Sequence, residues 1–247
     1  MKVFGLIGFP LSHSFSKKYF SEKFIRENIT DCRYELFPLK DISAFADLWE
    51  NNPELMGVNV TIPFKEKVIP FLDSSSEVVI KTGACNCIKK INGLLKGFNT
   101  DVIGFEKVLL QNLKPNHRSA LILGTGGAAK AVQYVLEKNA INYLVVSRNP
   151  QRDQISYPDL DHELIQAHPL IINTTPVGMY PDIDKSPDIP YEYLTENHFL
   201  FDLIYNPAKT IFLQKGESQG ALIQNGEGML VIQAEESWNI WNANSND

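Results

Sequence analysis

Apolar and polar positions along the chain repeat with two periods, and the changes of period mark the elements. Residues 3–8 are a short apolar run that predicts a first strand, followed by Phe20, Phe24, Ile25 and Ile29 at helical spacing within 14–29. Strands are expected at 33–39 and 55–62, with a helix between them capped by Asp41 or Ser43 and carrying Phe45, Leu48 and Trp49. A short helix with Val68 and Phe71 is expected after Pro63. Two further strands, 86–91 and 94–98, flank Asn92-Gly93, a strong hairpin signal. Asp101 then opens a helix with Val102, Phe105, Val108, Leu109 and Leu113, ending in the polar run Lys114-Pro115-Asn116-His117. The second half alternates more cleanly. Strands are predicted at 120–123, 143–146, 170–172, 199–204 and 222–223. A helix bearing Ala128, Ala131, Val132, Val135 and Leu136 follows the first of these, 147–161 is irregular, and a last helix runs from Met229 to Trp241. Strands alternating with helices predict an α/β protein with mostly parallel sheets. The break near 100–118 predicts two lobes with a cleft between them.

Composition narrows the function classes. The 247 residues carry 23 Lys+Arg and 29 Asp+Glu, a net charge of −6, with 44% hydrophobic and 21% charged residues. That suits a folded globular protein and not a disordered one. No basic stripe is present to meet a phosphate backbone, so nucleic acid is not expected as a partner. No apolar run approaches the length of a membrane span, and the N-terminus reads as a strand rather than a signal peptide. Three cysteines, Cys32, Cys85 and Cys87, are an odd number without metal-ligand spacing, which points to reduced thiols and a cytoplasmic protein. The five histidines are scattered, and no metal site is expected.

Residues 120–130 read Ala-Leu-Ile-Leu-Gly-Thr-Gly-Gly-Ala-Ala-Lys. Gly124, Gly126 and Ala129 satisfy Gly-x-Gly-x-x-Gly/Ala between a predicted strand and helix, the context in which such a turn receives a pyrophosphate. An NAD site would place a carboxylate at the end of the next strand; Ser147-Arg148-Asn149 stands there instead, and Arg148 suits the 2′-phosphate of NADP. In the first half, Ser14 and Ser16 open a helix, where hydroxyls and amides suit a carboxylate, although this cluster alone reads as an ordinary N-cap. Asn59 and Thr61 share a strand face, and Lys65 lies at a helix start, where the dipole mildly disfavours a cation. Asp101 ends the Gly97-Phe98-Asn99-Thr100-Asp101 run and reads either as a functional carboxylate or as the N-cap of its helix.

Taken in order, these clusters resemble the shikimate dehydrogenase family, NADP-dependent enzymes of aromatic amino-acid and chorismate biosynthesis. The likeness runs over nearly the whole chain: His-Ser-x-Ser at 13–16, Asn-Val-Thr-Ile-Pro-Phe-Lys at 59–65, Gly-Ala-x-Asn at 83–86, Gly-x-Asn-Thr-Asp at 97–101 and the glycine turn. It continues with Asn-Thr-Thr-Pro-Val-Gly-Met at 173–179, Asp-x-x-Tyr-x-Pro-x-x-Thr at 202–210 and Gly-x-Gly-Met-Leu-Val-x-Gln-Ala at 226–234. The resemblance implies a substrate-binding and catalytic domain over 1–101, a Rossmann-like NADP-binding domain over 102–228, and a C-terminal helix, 229–247, packing back on the first. It implies reversible NADPH-dependent reduction of 3-dehydroshikimate to shikimate, with Lys65 and Asp101 catalytic. Ser14, Ser16 and Tyr205 would hold the substrate carboxylate, and Thr61, Asn86, Asp101 and Gln233 the ring hydroxyls. NADP would lie on Gly124, Thr125, Gly126, Gly127, Ala128, Ser147, Arg148, Asn149, Leu203 and Gly226. The expected partners are this small molecule and the cofactor, with no membrane, in a monomer or homodimer.

The chain departs from the family pattern at Lys17, where Pro is usual, and at Cys87, where Thr is usual. Ser147 and Asn149 differ beside the retained Arg148, Glu227 interrupts the last glycine motif, and the stretch 149–168 is short enough to trim the helix that usually flanks the adenosine pocket. Three rivals remain: a sister enzyme using quinate or NAD, a non-catalytic shikimate-sensing relative, and a two-lobed NADP enzyme of folate metabolism.

Overall fold

The computed structural model describes residues 1–11 and 14–243. The chain divides into two compact units, residues 1–103 with 231 onward, and residues 104–230. The first unit contains β1 (Lys2–Gly8), α1 (Phe15–Arg26), β2 (Cys32–Pro38), α2 (Phe45–Asn51), β3 (Leu55–Val60), β4 (Ser74–Ser75), α3 (Glu77–Thr82), β5 (Cys87–Ile91) and β6 (Leu94–Phe98). Helix α4 (Thr100–Asn112) begins in the first unit and continues into the second. There follow β7 (Ser119–Leu123), α5 (Gly127–Lys138), β8 (Asn142–Val146), β9 (Gln154–Ile155), α6 (His162–Ala167), β10 (Leu170–Asn173), β11 (Phe199–Asp202), α7 (Ile211–Ser218) and β12 (Leu222–Gln224). Helix α8 (Glu227–Asn242) starts in the second unit and ends in the first. No helix among the described residues is long and apolar enough to cross a membrane.

The sheet of the first unit has the order β2-β1-β3-β5-β6-β4. β1 lies parallel to β2 and β3, while β5 runs antiparallel to β3 and β6. The β5–β6 turn is the predicted Asn92-Gly93, with φ of 51° and 84°, the two positive values that this kind of turn demands. Alternation along β1 builds two cores. Val3 and Ile7 pack with Phe45, Leu55, Val58 and Phe64, whereas Phe4 and Leu6 pack with Phe20, Tyr34, Ala234 and Trp241. The end of α8 therefore belongs to the core of this unit. Trp241 stacks on Phe4 with centroids 4.7 Å apart and donates its indole N–H to the Ile88 carbonyl at 3.0 Å. Gly57 lies beneath that indole, and a Cβ there would run into it.

In the second unit all strand pairs are parallel, in the order β12-β11-β10-β7-β8-β9. Numbered from β7, this is 6-5-4-1-2-3, the Rossmann order, which reverses direction between β7 and β10. The central strands are apolar on both faces, with Leu121, Ile122, Ile171, Ile172, Leu200 and Phe201 all fully buried.

Several expectations needed correction. The strand expected over 55–62 stops at Val60, and the helix expected after Pro63 is a single 3-10 turn at Ile69–Phe71. The helix expected to reach Ile29 ends at Arg26, because Asn28 turns the backbone to φ 53°. β4, α3, α6 and α7 carried no sequence expectation, and β9 lies in the stretch expected to be irregular; at two to eight residues they are too short to show a period. Replacing Trp241 by Ala removes the ring stack and the bond to Ile88. Unfolding followed in urea should show a loss of roughly 3–5 kcal/mol in the transition of the first unit.

Candidate active site

Ser14 is the N-cap of α1: its Oγ accepts the Lys17 N–H at 3.2 Å. The cap reading is therefore correct, and it leaves the hydroxyl hydrogen of Ser14 available to donate outward. Ser16 is half-buried in the first turn of the helix, and His13 of the same motif lies outside the described residues. Lys17 turns away from the serines to the Tyr34 carbonyl and to Glu35 Oε2, at 2.8 Å from the latter.

Lys65 and Asp101 meet. Lys65 Nζ donates to Asp101 Oδ2 at 2.7 Å, with the two side chains 25% and 14% exposed. The buried Phe64 ring anchors the residue before Lys65, and the Lys65 carbonyl accepts the Cys85 N–H at 2.8 Å. Asp101 lies in the first turn of α4 but does not cap it; Asn99 Oδ1 accepts the Val102 N–H, so the carboxylate is left for Lys65. Asn86 is 3% exposed, and its Oδ1 takes the Thr100 N–H at 2.6 Å while its amide group donates to Thr100 Oγ1 at 3.0 Å. One amide hydrogen of Asn86 is not used by these bonds. Thr61, just past the end of β3, is tied to β1 through its N–H to the Ile7 carbonyl at 2.9 Å.

A buried polar chain that the sequence reading did not assemble runs beneath these groups. Tyr34 donates to Asn59 Oδ1 at 2.9 Å, Asn59 Nδ2 donates to Ser237 Oγ at 2.8 Å, and Ser237 Oγ lies 3.2 Å from Thr100 Oγ1. Ser237 also donates to the carbonyl of Gln233, whose buried side chain lies one turn earlier on α8. Asn59 and Thr100 stood inside quoted motifs; Tyr34 and Ser237 gave no local signal.

In the second unit a cavity of about 900 Å³ opens beyond the C-terminal ends of the paired strands β7 and β10. Gly124, Thr125 and Gly126 form one wall, Ser147, Arg148 and Asn149 another, and residues 174–177 a third. Gly124 has φ 112°, and a Cβ there would press on Thr174 and Thr175. Gly126 is the N-cap of α5 without any side-chain cap, and the space its missing Cβ would fill is open. The first N–H groups of α5 thus meet an open space, as a phosphate requires. Arg148 is exposed and makes no ion pair among the described residues. Gly127 and Ala128 begin α5 and contribute its first N–H groups, while the side chains that line the cavity include neither them nor Leu203 and Gly226. Leu203 and Gly226 instead adjoin each other, so closely that a Cβ on Gly226 would strike the Leu203 carbonyl. Tyr205 is half-buried in the same unit, just beyond β11.

A model of the shikimate dehydrogenase substrate binding domain matches residues 6–88. The NADP(+) shikimate dehydrogenase of Desulforamulus reducens is 33% identical over 262 aligned positions, covering 97% of this chain and 89% of that protein. That of Methanococcus maripaludis strain C6 is 36% identical, covering 100% and 93%. The chain belongs to the shikimate dehydrogenase family. Its fold matches the Thermus thermophilus shikimate 5-dehydrogenase, a structure in complex with NADP(H) and shikimate, with a TM-score of 0.87 at 30% identity, covering 98% of this chain and 94% of that one.

Against the family pattern, the structure shows what the departures do. Between β8 and β9 there is only the loop 147–153, with no helix. Cys87 is fully buried beside Ser237, and burial pushes its thiol well up. All three cysteines are free, and burial raises the Cys85 thiol to about 12.

The motif at 202–210 supplies the anchor of the cavity's third wall. Fully buried Asp202 accepts from Asn173 Nδ2 and the Ile204 N–H, both at 3.0 Å, and from Thr210 Oγ1 at 2.6 Å. Asn173 Oδ1 in turn holds the N–H and hydroxyl of Thr175, and Thr175 Oγ1 takes the Val177 N–H. Burial raises Asp202 to about 6, against the opposing pull of Thr210, Ile204 and Asn173. A carboxyl raised in the folded state binds its proton more tightly there than in the unfolded chain. Its contribution therefore favours folding below about pH 4, declines as pH rises towards 6, and is constant above. Asp202→Asn removes that slope. Relative to wild type, its stability should rise by about 2 kcal/mol between pH 4 and pH 7, measured by urea denaturation across that range.

Proposed function

We propose that this chain catalyses the reversible, NADPH-dependent reduction of 3-dehydroshikimate to shikimate, an oxidoreductase step on a CH–OH group. The observation that carries the reading is the 2.7 Å contact between Lys65 Nζ and Asp101 Oδ2, in the unit that also presents Ser14 and Ser16 at the start of α1. Residues 1–101 bind the substrate, 102–228 hold the nucleotide, and 229–247 complete the first domain. NADP fits the residues present: the uncapped start of α5 and the open face of Gly126 suit its pyrophosphate, and Arg148 suits its 2′-phosphate. When bound, the reduced nicotinamide supplies the hydride.

The chain's own groups handle the charge and the proton. Ser14 and Ser16 donate their hydroxyls to the substrate carboxylate, aided by the positive end of α1. Thr61, Asn86 and Gln233 hold ring hydroxyls. As negative charge grows on the ketone oxygen, Lys65 Nζ stabilises it and delivers a proton to it. Asp101 Oδ2 fixes Nζ in place, which lowers the cost of orientation in the transition state. Free cysteines and the biosynthetic reaction support a cytoplasmic enzyme, acting as a monomer or homodimer.

Nicotinamide absorbance should rise when purified protein meets shikimate and NADP(+); an unchanged signal at high enzyme concentration overturns the reading. Lys65→Ala should lower turnover about 10²–10⁴-fold with an unchanged circular dichroism spectrum. Ser14→Ala should mainly raise the KM for shikimate, because a carboxylate contact serves ground and transition states alike.

A further inference from the structure

Among the described residues that line the cavity of the second unit, two carry charge, Arg148 and Asp188. Neither is spent on a neighbour. No ion pair or hydrogen bond joins either side chain to another described residue, and the two do not neutralise each other. Both side chains are exposed, so each is hydrated and open to a ligand in the cavity. Asp188 is also held in place. Its neighbours Pro187 and Ile189 are buried, the Ile189 N–H bonds the Pro187 carbonyl at 3.0 Å, and that carbonyl also accepts the Tyr191 hydroxyl at 2.8 Å. Tyr157 stands in the same wall and registers both charges. Burial raises its hydroxyl, Arg148 opposes that rise, and Asp188 adds to it. Arg148, Asp188 and Tyr157 thus line the same cavity, and both charges act on the Tyr157 hydroxyl.

We propose that Asp188 is a specificity-determining residue, opposing Arg148 at the ribose 2′ position of the nucleotide and narrowing the preference for NADP over NAD. The inference rests on the nucleotide reading above. Arg148 attracts a 2′-phosphate, while Asp188 repels the same dianion and has little effect on a neutral 2′-hydroxyl. A nucleotide with the phosphate and one without it are thus held closer in affinity than the arginine alone would set them. In the usual Rossmann arrangement the discriminating acid stands at the end of the second strand. Here that position belongs to Arg148, and the acid arrives from a segment 40 residues further along the chain.

Calorimetric dissociation constants for NADP(+) and NAD(+), and for the fragments adenosine 2′,5′-bisphosphate and 5′-AMP, test this without reference to turnover. Asp188→Asn should tighten NADP(+) and the bisphosphate roughly 3–10-fold, change NAD(+) and 5′-AMP less than about twofold, and lose most of the gain at about 1 M salt. Arg148→Ala should act in the opposite direction on the phosphorylated pair. Equal changes for both nucleotides in Asp188→Asn, or none, overturn the role of Asp188 while leaving the nucleotide site standing. Failure of the wild-type chain to bind either nucleotide overturns the site and the inference together. Asp188 is exposed, so an unchanged melting temperature will confirm that the variant is folded.

Discussion

Lys65 and Asp101 are 36 residues apart, and what brings them together is the four-residue segment 83–86. The Cys85 N–H holds the Lys65 carbonyl at 2.8 Å, and one residue on, Asn86 Oδ1 holds the Thr100 N–H at 2.6 Å. Ala84 offers its carbonyl to Asn99 at 3.0 Å, which in turn places the first turn of α4. Gly83, at φ 61°, ends α3 in the left-handed region and lets the chain turn into this position. The ammonium and the carboxylate are thus hung from adjacent backbone units of one short bracket. Such a bracket holds geometry because its donors and acceptors are buried, where an unmade bond is expensive.

The second unit reaches its geometry by topology instead of by a local clamp. Parallel strands β7 and β10 send their following loops in opposite directions, and the gap between those loops is a cavity whatever the side chains are. Sequence then refines it. Gly124 keeps the turn tight against Thr174, and the Asp202–Asn173–Thr175 chain holds the opposite loop at fixed height. Asp202 is an acid in a setting that raises it to about 6, so this anchor carries a real cost near neutrality, offset by three hydrogen bonds.

Most of both arrangements could be read in the sequence, and the failures have physical causes. The long periodic helices α4, α5 and α8, and the apolar strands of the second sheet, declare themselves by period and length. Lys65, Asp101, Gly124 and Arg148 stood out as a cation at an expected helix start, which the structure shows to be a turn, an acid beyond a hairpin, a glycine turn, and an arginine where a carboxylate is usual. Tyr34, Ser237 and Asp188 carry no such mark. An aromatic residue in a strand and a serine in an amphipathic helix are ordinary locally, and their roles arise only from partners 25 to 178 residues away. Asp101 as cap and Asn99 as cap differ by two positions, and only the hydrogen bonds separate them.

The two units also handle polarity in opposite ways, and that contrast locates their chemistry. In the first, Tyr34, Asn59, Asn86, Thr100 and Ser237 close on one another inside the core, so the network is rigid and what it supports is placed firmly. In the second, a helix start is uncapped and two opposite charges in one cavity stay apart. Groups satisfied inside the protein position others; groups left unsatisfied at the rim of a cavity are available to a ligand. The fold brings three donors to Asp202 from 2 to 29 residues away, yet leaves Arg148 and Asp188 unpaired among the described residues. On the role proposed for Asp188, the charge balance of the cavity belongs to its binding function, set by an arginine beyond β8 and an acid from the loop before β11.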